Sequence, residues 1–248
     1  MEHIYAVASS EELVQYQSFV SAHAAKLDAY LQFLKTEFSV QEVPRTIIWT
    51  SAATATQRIS NIPIPAYTND YRIIMCSSLD SWKQIYLKQL DSVENTVSSD
   101  IRSYYTYSLT HNHILQILGH ELAHHSQWFI DEAYDSGRGI WFEEGMAEYI
   151  SRRYFLTEAE FNHERAINRQ LAEIYEKQNG SHSLDHFSLS TYQSDYFSIF
   201  YAYWRSFLAV DQIISTHGGD VKEVLRTYQR WFTSQSPLTL AQWFSLEF

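Results

Sequence analysis

His120, Glu121 and His124 sit within five residues, His120-Glu121-Leu122-Ala123-His124, and carry the side chains of a hydrolytic metal site. On an α-helix, residues four apart share a face, so the two imidazoles project side by side. Two imidazoles on one rigid helix can grip a zinc ion at about 2.0–2.1 Å per nitrogen. Glu121 is turned by about 100° from His120. It can flank the metal without ligating it and act as a base on water. The pattern thus supplies two ligands and one base, provided that it lies on a helix. Ile114, Ile117, Leu118, Leu122 and Trp128 recur at helical spacing and predict a helix from Thr110 to Phe129.

A catalytic zinc wants three protein ligands and an open position for water. The third ligand is sought in Trp141-Phe142-Glu143-Glu144-Gly145-Met146-Ala147-Glu148-Tyr149, the start of a second helix. Glu144 and Glu148 share one face of it. Glu144 can ligate the metal, and Glu148 can accept a hydrogen bond from the outer nitrogen of His120 and fix its tautomer. Gly145 and Ala147 are small enough for a close helix pair. His125 points off the motif's face, and His111 and His113 lie too early on the helix to share the metal.

In these residues the chain resembles the gluzincin metallopeptidases, a group that includes thermolysin, aminopeptidase-N-type enzymes and clostridial collagenases. The shared text is HExxH followed by a helix carrying a glutamate ligand, with an acidic residue four positions on. The run Trp141 to Tyr149 is similar to the collagenase and aminopeptidase style of that helix. Spacing usual in the aminopeptidase-N group would select Glu143. The Glu-Gly-x-Ala-x-Tyr register selects Glu144, which is preferred. The resemblance implies a thermolysin-like domain, a Zn2+ cofactor and hydrolysis of peptide bonds. Zinc would acidify water and polarise the scissile carbonyl, and Glu121 would shuttle the proton. It also implies an oxyanion donor: Tyr196 first, with Tyr201 and Tyr203 behind it. The upstream Gly-x-Met-Glu-Asn signature of exopeptidases is absent, which favours an endopeptidase, and no third histidine follows in metzincin spacing. A zinc-holding regulatory or sensor module on the same scaffold is the alternative. A structural zinc site is a third reading, weakened by the presence of only three evident ligands.

The elements that must position these residues follow from the rest of the chain. Leu13, Tyr16, Val20, Leu27, Leu31 and Leu34 predict a helix over residues 10–38, capped by Ser9 or Ser10 with Glu12 in a capping box. Residues 45–50 and 71–76 read as strands, the second a sheet edge open to an extended peptide. Residues 61–65 are extended by their prolines. Helices are expected over 79–97, 157–178, 194–217, 220–234 and 239–246, with an extended lead-in at 104–109 and a loop at 181–193. The fold class is α+β and mostly helical. One metallopeptidase-like domain is expected, with an N-terminal mixed-sheet lobe (1–109), a zinc-binding helix pair (110–156) and a helical C-terminal lobe (157–248).

Composition narrows the partners. A net charge of -11, from 18 basic and 29 acidic residues, argues against nucleic acid. One cysteine, Cys76, excludes an internal disulfide or a cysteine-rich zinc site. No run of about 18 apolar residues predicts a membrane span. Met1 to Tyr5 lacks a basic segment followed by an apolar core, so a cytoplasmic protein is expected. The expected partner is a peptide or protein substrate.

Overall fold

The computed structural model describes residues 1–60, 62–93 and 97–246. Its first element is a strand, β1 (Glu2–Ala6), too short for its alternation to stand out in the sequence. Helix α1 (Ser10–Phe38) follows, with Ser9 as the cap; Glu12 accepts from the Ala8 N–H at 2.8 Å, one residue before the cap, so the expected capping box is not closed. β2 (Thr46–Thr50) then pairs parallel to β1. The short α2 (Ala52–Thr54) runs into one π-helical turn at Ala55–Ile59. β3 (Ala66–Thr68) and β4 (Arg72–Met75) complete a four-stranded sheet of order β1-β2-β4-β3. β4 is parallel to β2 and antiparallel to β3. The strand expected at 71–76 is therefore interior, and the edge beside the helices is β3. Strand pairing is non-local, so flanking prolines did not reveal it.

α3 (Leu79–Lys88) is shorter than the predicted helix and gives way to a 3-10 turn at Asp91–Val93. The rest of that prediction falls partly on residues 94–96, outside the described residues, as does Asn61 at the head of the extended segment. α4 (Ser99–Ser103) continues into a π-helical turn, Tyr104–Ser108, where an extended lead-in was expected.

α5 (His111–Ala123) is the motif helix, and Thr110 and His113 form its capping box. It stops at Ala123, earlier than the predicted Phe129. His125 and Ser126 turn back onto Leu122 and Ala123, while the Ser126 hydroxyl donates to the Phe38 carbonyl at 2.6 Å. The Ser126 oxygen also accepts from the Trp128 N–H at 3.2 Å, a local bond that competes with helix continuation. α6 (Asp131–Asp135) is a single turn, and α7 (Ile140–Phe155) is the second acidic helix. α8 (Glu158–Asn179) carries the Thr157/Glu160 capping box. The 181–193 segment holds two 3-10 turns. α9 (Tyr196–Thr216), α10 (Val221–Thr233) and α11 (Leu240–Trp243) end the fold. The result is an α+β chain, mostly helical.

One buried apolar cluster joins α1 (Tyr30, Leu34), the sheet (Ile47, Trp49, Ile73), α5 (Leu118, Leu122), α7 (Trp141, Phe142, Met146), α9 and α10. A second packs Leu90, Ile101, Tyr104 and Tyr105 against α8 and α9. At Gly119 an added methyl would lie 2.5 Å from the Phe155 ring and 3.0 Å from that of Tyr30. At Gly145 it would collide with the Ser206 carbonyl. Both glycines let the backbone of α5 or α7 approach its neighbour closely.

Candidate metal centre

α5 and α7 run side by side so that Gln116 reaches Glu148 and Ser151, while His120 reaches Glu144 and Glu148. Three ligand atoms converge. His120 Nε2 lies 2.9 Å from His124 Nε2 and 3.1 Å from Glu144 Oε2, and His124 Nε2 lies 3.4 Å from that same oxygen. An ion held tetrahedrally at about 2.0–2.1 Å would keep its ligand atoms about 3.4 Å apart. The sides of the triangle fall between that spacing and half an ångström below it, close enough for one ion to be shared by small side-chain shifts. The donor set, two imidazoles and a carboxylate, suits zinc. This is the one group of three such residues placed to hold an ion among the described residues.

Glu143, the alternative register, turns elsewhere. Its Oε1 accepts from the Ile130 N–H at 2.8 Å and from the Tyr228 hydroxyl at 2.5 Å. Burial pushes its carboxyl up to about 7. Glu144 behaves oppositely. Burial opposes its ionisation, but the charge on His124 and hydrogen bonds from both histidines hold it well below the usual carboxylate range. For His120, burial works against the charged ring, yet the neighbouring carboxylates of Glu144 and Glu148 hold its pKa well above the ordinary value.

Glu121 is buried and faces the same cleft, and burial pushes its carboxyl up to about 7. His120 Nδ1 lies 3.2 Å from Glu148 Oε1, within reach although not aligned as a hydrogen bond. His125 Nε2 pairs with the Thr68 hydroxyl at 2.8 Å, tying the end of the motif to β3.

The structure does not bring Tyr196 to this group. Its hydroxyl donates to the Pro63 carbonyl at 3.1 Å, and it is not among the residues lining the cleft. Tyr201 is engaged with Glu176 and Arg205. Tyr203 does reach the cleft, its ring 6.0 Å from that of His120. Two residues absent from the sequence reading stand closer. Tyr134 and Tyr192 donate to Glu144 Oε1 at 3.3 and 3.2 Å, and the Tyr203 hydroxyl meets that of Tyr192 at 2.8 Å. Tyr192 lies in the polar 181–193 segment, where no periodicity marks a functional side chain.

The cleft has a volume of about 1070 Å³. β3 and the segment before it, α5, α7, and Tyr192, Tyr203 and Trp204 all contribute to its lining.

Residues 93–236, more than half of the chain, match the family model described as collagenase. The chain belongs to the collagenase family of zinc metallopeptidases. That family implies a metal, typically zinc, and a peptide or protein substrate. No curated protein and no solved structure matches the chain. Among the described residues, no helix is long and apolar enough to cross a membrane.

Proposed function

We propose that the chain is a zinc endopeptidase of the gluzincin type, with His120, His124 and Glu144 holding the ion. The observation that carries this reading is the triangle of ligand atoms, 2.9, 3.1 and 3.4 Å on its sides, with Glu121 in the same cleft. When bound, zinc supplies Lewis acidity, polarising a carbonyl and lowering the pKa of water. Glu121 takes the proton from the attacking water and passes it to the leaving amine. Its buried, raised carboxyl suits a group that must both accept and donate near neutral pH. Glu148 orients His120 from behind. The Tyr192 O–H, which donates to Glu144 Oε1 in the resting site, would leave that carboxylate and turn to the developing oxyanion, with the Tyr203 hydroxyl 2.8 Å behind it.

The free edge of β3 borders the cleft and offers backbone groups to an extended chain. Together with the absence of an amino-end recognition signature, this edge supports cleavage within a chain. All three segments contribute to the cleft lining, which supports one catalytic domain made of residues 1–109, the metal-holding helix pair 110–156 and residues 157–248.

The test is Glu121→Gln. Purified wild-type protein is expected to carry one zinc per chain and to cleave peptides or unfolded proteins internally. The variant should keep its zinc and lose kcat by orders of magnitude. Full activity in that variant would remove Glu121 from the reaction.

A further inference from the structure

Beyond the three ligands and Glu148, a buried polar chain runs away from the centre along α7. Glu144, Glu148 and Arg152 are spaced four apart on one helix face. Glu148 divides its two oxygens: Oε1 faces His120 Nδ1 at 3.2 Å, while Oε2 pairs with Arg152 Nη2 at 2.8 Å and accepts from Gln116 at 3.2 Å. Arg152 is held from the other side, its Nε 3.1 Å from Glu164 Oε2 on α8 and its guanidinium 4.2 Å over the Phe207 ring. Glu164 is itself fixed, because its Oε1 accepts from the Tyr104 hydroxyl at 2.7 Å. His113 stands 3.6 Å from that oxygen. Its Nδ1 accepts from the Thr110 N–H at 3.0 Å, which leaves its proton on the nitrogen facing Glu164.

We infer that Arg152, clamped by Glu164, is a positioning residue for the zinc ligand His120, acting through Glu148. The inference rests on the zinc reading above and extends it to residues that touch neither metal nor ligand. Two observations single out Arg152. It is the only lysine or arginine among the described residues lining a cleft that also holds Glu121, Glu143, Glu144, Glu148 and Glu164. Its side chain and those of Glu148 and Glu164 are 11, 14 and 11% exposed, so water screens them little. The outer nitrogen of His120 has no aligned hydrogen-bond partner, and Glu148 Oε1 stands 3.2 Å from it, so the placement of Glu148 decides how that ring is held. Without Arg152, the Glu148 carboxylate loses its guanidinium partner and keeps only the Gln116 amide to hold Oε2 away from His120. Carboxylates behind a ligating histidine commonly tune metal affinity by about 10–100-fold.

The experiment measures zinc affinity of the purified full chain by competition with a chromogenic chelator, alongside thermal unfolding of the zinc-free protein. Arg152→Gln should weaken zinc binding by about 10–100-fold. Arg152→Lys should recover part of it, keeping the charge but losing the planar fork. Glu164→Gln should weaken binding in the same direction. Arg153→Gln, next in sequence, paired with Glu158 and stacked over the Phe161 ring, is the control and should bind as wild type. If Arg152→Gln does not fold, Glu164→Gln decides alone. Wild-type zinc affinity in Arg152→Gln or, failing that, in Glu164→Gln overturns the inference while leaving the zinc reading intact. So does a loss confined to the unfolding midpoint. A wild-type protein that binds no zinc overturns the reading beneath it.

Discussion

Glu144 does two jobs at the scale of the single residue: one oxygen faces the histidines, the other accepts from Tyr134 and Tyr192. A tyrosine so placed is held rigidly beside the reacting centre, which is what an oxyanion donor requires. Tyr192→Phe should lower kcat by about 10²–10³-fold, the usual loss for one such donor, with a much smaller change in KM. Tyr196→Phe should leave kcat near wild type, because that side chain bonds the Pro63 carbonyl and does not line the cleft. Steady-state kinetics on one peptide substrate separates the two. The contrast also shows what the sequence could carry. The HExxH residues and Glu144/Glu148 are legible because fixed helical spacing converts position into direction. Tyr192 is not, since a loop residue's direction comes from tertiary packing. Arg152 continues the Glu144/Glu148 face and could have been read from spacing, but its partner Glu164 lies on another helix and gives no local signal.

At the scale of elements, the centre depends on how closely α7 meets α9 and α5 meets its neighbours. Gly145→Ala gains helix propensity worth about 1 kcal/mol. Against this, the new methyl meets the Ser206 carbonyl and comes within 2.9 Å of Val210. A backbone carbonyl cannot rotate away, so α9 must shift, and overpacking of this kind costs about 1–3 kcal/mol or more. Net destabilisation of about 2 kcal/mol should lower Tm by roughly 4–8 °C for a chain of this size. Gly119→Ala meets ring atoms of Phe155 and Tyr30, which can yield, and should cost less. Thermal unfolding of both variants gives the ranking, and equal midpoints would show that α9 moves freely. The same elements mark the limit of sequence reading. α1 and α8 were legible to within a residue or two because Ser9 and Thr157 cap them locally. The end of α5 was not, because Ser126 finds its partner in Phe38, 88 residues away. Nor was the edge role of β3, which depends on which strands find each other.

For the whole molecule, the question is whether the metal holds the fold or the fold holds the metal. The principal core joins α1, the sheet, α5, α7, α9 and α10 through side chains that do not touch the centre, among them Trp49, Phe142 and Trp231. α7 packs on α9 and carries Trp141 and Phe142 into that core whether or not an ion is bound. The fold should therefore survive chelation. It should still lose stability, because an ion that binds only the folded state contributes about 4 kcal/mol when its free concentration is 1,000 times Kd. Removal would also leave Glu121, Glu144 and Glu148 crowded around two histidines, with Arg152 the one guanidinium among the described residues of the cleft lining. Chelated protein should keep its far-UV and near-UV circular dichroism and a single cooperative transition, with Tm lowered by about 8–16 °C. Zinc, restored in excess, should recover both midpoint and peptidase activity. A structural ion behaves differently, since its binding energy is folding energy and chelation unfolds the chain. Loss of the near-UV signal on chelation would thus move the centre from the catalytic to the structural class, whatever its ligand geometry.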